Sequence, residues 1–426
     1  MREPADLLIE PRWLLPMTPG VVLEGHALAI GAGRILALGP APELRARFEP
    51  REHLRREQHA LLPGLVNAHA RASLTLLRAA LPYGGSTGHP AAMAAAAGAD
   101  FVRDGTRLAI AQMLSAGITC FADLSPHPEE AARVCAAAQM RAAIGLPIGE
   151  AGSADGATAQ LARAERLWDE YRADPRISLF FAPLGMAGLS DALLSRVRRV
   201  ADELEARLAL RLEAEQAADR EWLVRDVSPS AATLLPRLAA LGLLRPGFAA
   251  IQSAALPEAD VALLARHGAA LISCPQASLA SGGARVPLLE GGRSALGTDS
   301  PLSAGAFDLL AEARTAALLS GFGAAEALRL ATLGGATVLG LQAQIGSLEA
   351  GKVADLMCLE LDALSVAGYA SPEDAIVFGA TRSQVSDVWS GGRASVSAHR
   401  LLAFDAEELA ALPAIWASRL KLGAAA

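Results

Sequence analysis

Short apolar runs alternate with amphipathic stretches from about residue 64 to residue 340. The runs are GLVNAH (64–69), ITCFAD (118–123), RAAIGL (141–146), ISLFFA (177–182), LALRL (208–212), FAAIQ (248–252), AALISC (269–274) and SALGT (294–298). Between most of them, in segments such as 190–206 and 306–319, apolar residues recur at three and four positions, the period of a helix with one buried face. Eight strands alternating with helices over this length predict an α/β chain built as a closed (β/α)8 TIM-type barrel. The Gly- and Ala-rich stretch 80–103 breaks the pattern and is expected to be a loop.

The two ends of the chain read differently. LLIEPRWLLPM, ALAIGAGRILALG, ADLMCLEL and VSDVWSGGRASV are short strand-like runs separated by Gly-rich turns. They predict one small β-sandwich assembled from both ends, with residues 1–62 and 343–400 flanking a barrel at 63–342 and a helix within 401–426.

Composition narrows the function classes. A chain of 426 residues exceeds one small core, 52% of it is apolar, and the net charge is −7. Nothing is basic enough to track a phosphate backbone, so nucleic acid is not an expected partner. The N-terminal MREPADLLIEPRW lacks the apolar centre of a signal peptide, and the Ala-rich run at 91–99 is too short to span a bilayer, so no membrane partner is expected. Cys120, Cys135, Cys274 and Cys358 show no Cys-x-x-Cys spacing and are expected to be reduced, buried thiols of a cytoplasmic protein. GSLEAGKV (346–353) approaches a phosphate-binding loop, but Val353 lacks the hydroxyl and a β-like run follows, so a hairpin turn is expected there.

Several motifs carry more. PGLVNAH (63–69), SAGITCFAD (115–123), the Cys274-Pro275 pair, LGTDSPLS (296–303), DLLAEARTAALL (308–319) and IGSLEAGKVADL (345–356) span the chain. Together they resemble the amidohydrolase superfamily, in its aminohydrolase branch of triazine hydrolases and adenosine- or guanine-type deaminases. The resemblance implies a homodimer and a divalent metal held by a His-x-His on strand 1, a His on each of strands 5 and 6, and an Asp on strand 8. A Glu three residues after the strand-5 His would shuttle the proton. Carried over residue by residue, His69 matches the first ligand and Asp299 the last. Arg71 stands at the second, Leu212 on strand 5 with the shuttle preserved as Glu215, and Gln252 on strand 6 with Ala255 three residues on. Phe181 takes the place of a substrate-facing His. A register one residue earlier on the fifth run would put Arg211 at the ligand position; Leu212 is preferred because it keeps Glu215 in place.

The donors for a metal are therefore few. None of the eight histidines lies at the end of the fifth or sixth run, and His127 is the one other candidate near the barrel mouth. A carbamylated lysine has no source in the barrel, since Lys352 and Lys421 are the only lysines. Two unit charges about 4 Å apart interact by about 4 kcal/mol at an effective dielectric of about 20, so a divalent ion that close to Arg71 would be repelled by roughly 8 kcal/mol. The residues predict no bound metal and no other cofactor, with Arg71 paired to Asp299 or Glu215 in the ion's stead.

Three functions stay open at this point. The joint loss of ligands favours a non-catalytic relative, a ligand-binding, regulatory or structural subunit. The second is a hydrolase of a non-peptide carbon–nitrogen bond in a small cyclic amidine or heterocycle, working without metal through His69, Glu215 and Asp299. The third is a metal hydrolase with unorthodox ligands such as Glu215, Gln252 and His127. Arg71, Gln252 and Ser303 are the candidate binding residues for a small molecule.

Overall fold

The eight apolar runs become eight strands of one sheet in a computed structural model, which describes residues 1–79, 90–149, 154–183, 190–212, 231–252, 256–280, 285–364 and 366–420. The strands are β1 (Leu65–Ala70), β2 (Ile118–Asp123), β3 (Arg141–Ile148), β4 (Ile177–Pro183), β5 (Arg207–Leu212), β6 (Phe248–Gln252), β7 (Ala270–Ser273) and β8 (Ser294–Leu296). They follow one another around the sheet in sequence order. The registers from β3 to β8 are parallel throughout, for example Leu212 beside Gln252 and Gln252 beside Ser273. A parallel bridge between Ala70 and Asp299 brings the first strand to the chain leaving the last, which closes the (β/α)8 barrel. Every residue of β1 and of β2 is buried, as expected of parallel strands covered on both faces.

Helices form between the strands where the three-and-four periodicity places them, and local chemistry sets their ends. Ser190 caps Asp191–Glu203 by accepting the Leu193 N–H at 3.2 Å. Pro128 occupies the first turn of Pro128–Ala138, and that helix ends on Gln139 in the left-handed region. The stretch 80–103, expected to be a loop, is helical from Pro90 onward, as Pro90–Ala97 and Ala99–Ser115; its first ten residues lie outside the described ones. Alanine, the strongest helix former, outweighs the absence of an amphipathic pattern there.

The end segments build a separate mixed sheet of nine strands. Its order runs Arg400–Leu401, Arg393–Ser397, Val385–Ser390, Leu356–Glu360, Phe48–Pro63, Glu3–Leu14, His26–Gly31 and Arg34–Pro40, with Leu23–Glu24 paired to Glu3–Leu14. The N- and C-terminal halves join where Phe48–Pro63 pairs antiparallel with Leu356–Glu360, placing Glu360 opposite His59. Leu7, Ile9, Leu28, Ile30, Leu61, Leu356 and Trp389 share its larger core cluster, and Leu8, Ala29 and Phe48 lie in a second. The GSLEAGKV stretch is a turn here: Lys352 Nζ reaches Glu349 at 2.9 Å and the Lys352 carbonyl accepts from Ile35 N–H.

By contacts the chain divides into two units, Met1–Asn67 with Ala111–Cys120 and Asp308–Ala406, and Ala68–Ile110 with Phe121–Phe307 and Glu407–Ala426. In the second unit the C-terminal helix Ala406–Arg419 docks through Trp416. Its Nε1 donates to Asp104 Oδ2 at 3.0 Å, and its ring meets Phe101 edge-on at 5.1 Å between centroids. No helix among the described residues is long and apolar enough to cross a membrane.

Candidate active site

The polar groups gather where β1 ends and β8 leaves the barrel. His69, on β1, is 1% exposed, and Asp299, three residues past β8, is 2% exposed. The His69 carbonyl accepts from the Thr298 and Asp299 N–H groups, and the Asp299 carbonyl accepts from Arg71 N–H at 3.1 Å. Asp299 takes a positive φ of 51°, an uncommon conformation that Asp tolerates better than most side chains. Gly297 makes the approach feasible, because a Cβ there would stand 2.8 Å from His69 Cβ.

The two oxygens of Asp299 do different work. Oδ2 accepts from Ser303 Oγ at 2.9 Å and from Arg211 Nη2 at 3.3 Å. Oδ1 lies 3.4 Å from His69 Nε2, and neither atom has a hydrogen-bond partner although both are buried. Burial alone would raise the Asp299 carboxyl, but the Arg211 charge, together with His69 and Arg71, holds it well below the usual carboxylate range. Burial, with the nearby arginines, pushes His69 below its ordinary value despite Asp299, so the imidazole is neutral near pH 7.

Asp299 Oδ2 meets the guanidinium of Arg211 rather than a side chain at Leu212, Arg71 donates its main-chain N–H to the Asp299 carbonyl, and Glu215, the other partner expected for Arg71, lies outside the described residues. Arg211 is long enough to reach Asp299 from the end of β5, and buried Leu212 has no polar atom to offer. Gln252 is buried and accepts from Ser273 Oγ at 3.1 Å. Ser303 contacts Asp299 and the Ser300 carbonyl. His127 precedes the helix Pro128–Ala138, with a buried Nε2 that has no hydrogen-bond partner. Phe181 is buried on β4. Glu215 lies outside the described residues.

Asp123, at the end of β2, is not among the expected site residues. It is fully buried, its Oδ1 accepts the Ala72 N–H at 2.8 Å, and its Oδ2 has no hydrogen-bond partner. Burial pushes its carboxyl up to about 6, against the Ala72 N–H, the Ser125 hydroxyl and the Arg71 charge. The signal was present in the motif SAGITCFAD, where a lone carboxylate ends an otherwise apolar strand.

An eight-stranded barrel with a buried imidazole and carboxylate meeting at the C-terminal mouth is the architecture of a barrel enzyme scaffold. The chain belongs to the amidohydrolase family, whose model matches residues 60–394. It is 34% identical over 444 residues to the 5-methylthioadenosine/S-adenosylhomocysteine deaminase of Teredinibacter turnerae, covering 98% of each chain. It is 32% identical to the protein of that name from Saccharophagus degradans, over 99% of this chain and 98% of the relative. The crystal structure of an adenosine deaminase from Xanthomonas campestris with bound zinc superposes with a TM-score of 0.88 at 34% identity, over 99% of this chain and 100% of that one. The zinc complex of the atrazine chlorohydrolase TrzN from Arthrobacter aurescens TC1 shares the fold, with a TM-score of 0.77 at 20% identity over 96% and 99% of the two chains.

Two expectations are corrected by these relatives. The reading as a non-catalytic family member is overturned by full-length similarity to proteins named as deaminases. The expectation of no cofactor is overturned by the zinc in the Xanthomonas structure. The site meets such an ion in part. His69 and Asp299 offer two donors, each with a buried atom that no hydrogen bond uses, whereas a catalytic zinc takes three protein ligands. Among the described residues no group of three His, Cys, Asp or Glu side chains converges, and Arg211 stands against Asp299. The described residues alone therefore do not fit the ion, and Glu213 and Glu215 lie outside them.

Proposed function

We propose that the chain hydrolyses a non-peptide carbon–nitrogen bond, releasing ammonia from the amino group of an adenosine-type nucleoside. The full-length relatedness to the Teredinibacter deaminase carries this reading, and the His69–Asp299 pair supports it from within the site.

Hydrolytic deamination needs a proton taken from the attacking water and a proton given to the departing amine. A neutral His69 has a ring nitrogen free to accept the first and return the second. Asp299, held ionised, stabilises the imidazolium formed in between. Arg211 and Ser303 engage Oδ2 and so keep Oδ1 turned toward His69. Ser303 thus acts on Asp299, and Arg71 and Gln252 remain the residues proposed to meet the substrate.

The test is ammonia release from 5′-methylthioadenosine, S-adenosylhomocysteine and adenosine, each with added zinc and with a chelator, alongside the zinc content of the purified protein. Release that disappears in His69→Asn and in Asp299→Asn supports the reading. No release from any of the three under every metal condition overturns it.

A further inference from the structure

Asp299 already has a cation. Arg211 Nη2 donates to Asp299 Oδ2 at 3.3 Å, and Ser303 Oγ donates to the same oxygen at 2.9 Å. The other oxygen, Oδ1, faces His69 Nε2 at 3.4 Å, and these two buried atoms are the ones that no hydrogen bond uses. A divalent ion served by that pair would share one carboxylate with the guanidinium. Among the described residues no third His, Cys, Asp or Glu joins His69 and Asp299, so a single negative charge would face both cations. The Asp299 side chain is 2% exposed, and repulsion between like charges is strong where so little water reaches. Arg211 has a way out, however. Its side chain is 23% exposed, and it stands on β5 between the buried Leu210 and Leu212, so the guanidinium can leave Asp299 by rotation about its own bonds while the strand stays packed.

We propose that Arg211 is a built-in competitor of a divalent ion: its guanidinium and the ion are alternative partners of Asp299, and the carboxylate serves an ion only when Arg211 has released it. The misfit between this site and zinc is then partly a matter of charge, and Arg211 is its source. The inference concerns metal affinity and stability rather than turnover, so it stands or falls apart from the deaminase reading.

The experiment measures the affinity of the full chain for zinc alone, in competition with a chromophoric chelator. The variants are Arg211→Met, which keeps the length without the charge, Arg211→Lys, which keeps the charge, and Arg211→Met combined with Asp299→Asn. Arg211→Met is expected to bind zinc about 10–100-fold more tightly than the parent, Arg211→Lys to stay within about threefold of it, and the double variant to lose the gain. Unchanged affinity in Arg211→Met overturns the competition. So does an equal gain in Arg211→Lys, which removes charge as the cause, or a gain that survives Asp299→Asn, which places the ion elsewhere. Thermal unfolding gives a second readout. Without metal, Arg211→Met is expected to melt below the parent, because a buried carboxylate has lost its cation, and excess zinc is expected to raise its melting temperature more than the parent's. A variant that melts with the parent in metal-free buffer shows that Arg211 was not the counter-charge and overturns the proposal. Should Arg211→Met fold in neither condition, Arg211→Gln, which keeps an N–H donor without the charge, is read in its place with the same outcomes.

Discussion

Gly297 and His69 are in backbone-to-side-chain contact across the seam of the barrel: a Cβ at 297 would lie 2.8 Å from His69 Cβ and 2.9 Å from its backbone nitrogen. Neither neighbour is the far end of a flexible side chain, so an added methyl group has to push the two chain segments apart. Gly297→Ala is expected to destabilise the fold by about 1–3 kcal/mol, the usual range for overpacking a filled interior. It should also separate His69 from Asp299, so the melting temperature and ammonia release fall together. A variant with unchanged melting would show that the seam yields freely.

Asp123 gives stability a distinct pH dependence. Its folded carboxyl is pushed up from the ordinary 3.8 to about 6, so the folded chain holds this proton more tightly than the unfolded chain does. The associated stability is fully present below about 4 and is lost as pH rises through about 6, a difference of about 3 kcal/mol. Asp123→Asn has no such titration. The stability of the variant relative to the parent is therefore expected to rise between pH 4 and pH 7, which paired urea titrations at those two values measure.

Trp416 anchors the C-terminal helix within its unit. It is buried, meets Phe101 edge-on, and gives Asp104 a hydrogen bond. Trp416→Ala is expected to cost about 3–5 kcal/mol, and Trp416→Phe less, since the ring contact survives while the Asp104 bond is lost. Thermal unfolding of the two variants, compared with that of the exposed-site control Ile415→Ala, checks the order.

Arg56 and Asp387 form a two-pronged ion pair in the mixed sheet, at 2.9 and 3.0 Å, with the Asp387 side chain buried. Burial would raise the Asp387 carboxyl, but Arg56, the Ala398 N–H and the Ser386 hydroxyl hold it below its ordinary value. A carboxyl lowered on folding stabilises above its unfolded value, and that contribution is lost as pH falls through the lowered one. Arg56→Met is expected to destabilise by about 3–5 kcal/mol at neutral pH by stranding a buried anion. Its stability should also fall less steeply than the parent's on the acid side, which unfolding at pH 3 and pH 7 tests.

The barrel was legible because parallel strands covered on both faces are apolar at nearly every position, and all eight runs became strands. The strand Phe48–Pro63 was not, because FEPREHLRREQH has neither an apolar run nor a clean alternation. Its polar residues are matched across strands, as with Arg56 and Asp387 or His53 and Glu10, and such matching is a tertiary property. At the site, the family resemblance pointed to His69 and Asp299 and preferred Leu212 over Arg211 on the fifth run. The reach of a long side chain from a strand end is set by three-dimensional distance, and it gave Asp299 to Arg211. Asp123 shows in the sequence as a lone carboxylate ending an apolar strand, but the Ala72 N–H that it accepts is a tertiary partner that no motif displays.

The long strand Phe48–Pro63 has an implication for synthesis. Glu3–Leu14 is made early enough to cover one edge of it, whereas Leu356–Glu360, which covers part of the other, comes from the far end of the chain. While the ribosome is still making the intervening segment, that edge is open to any stray extended peptide. Charges at Arg51, Glu52, Arg55, Arg56 and Glu57 discourage such pairing, so the polarity that hides this strand from a hydrophobic scan also guards the nascent chain against aggregation.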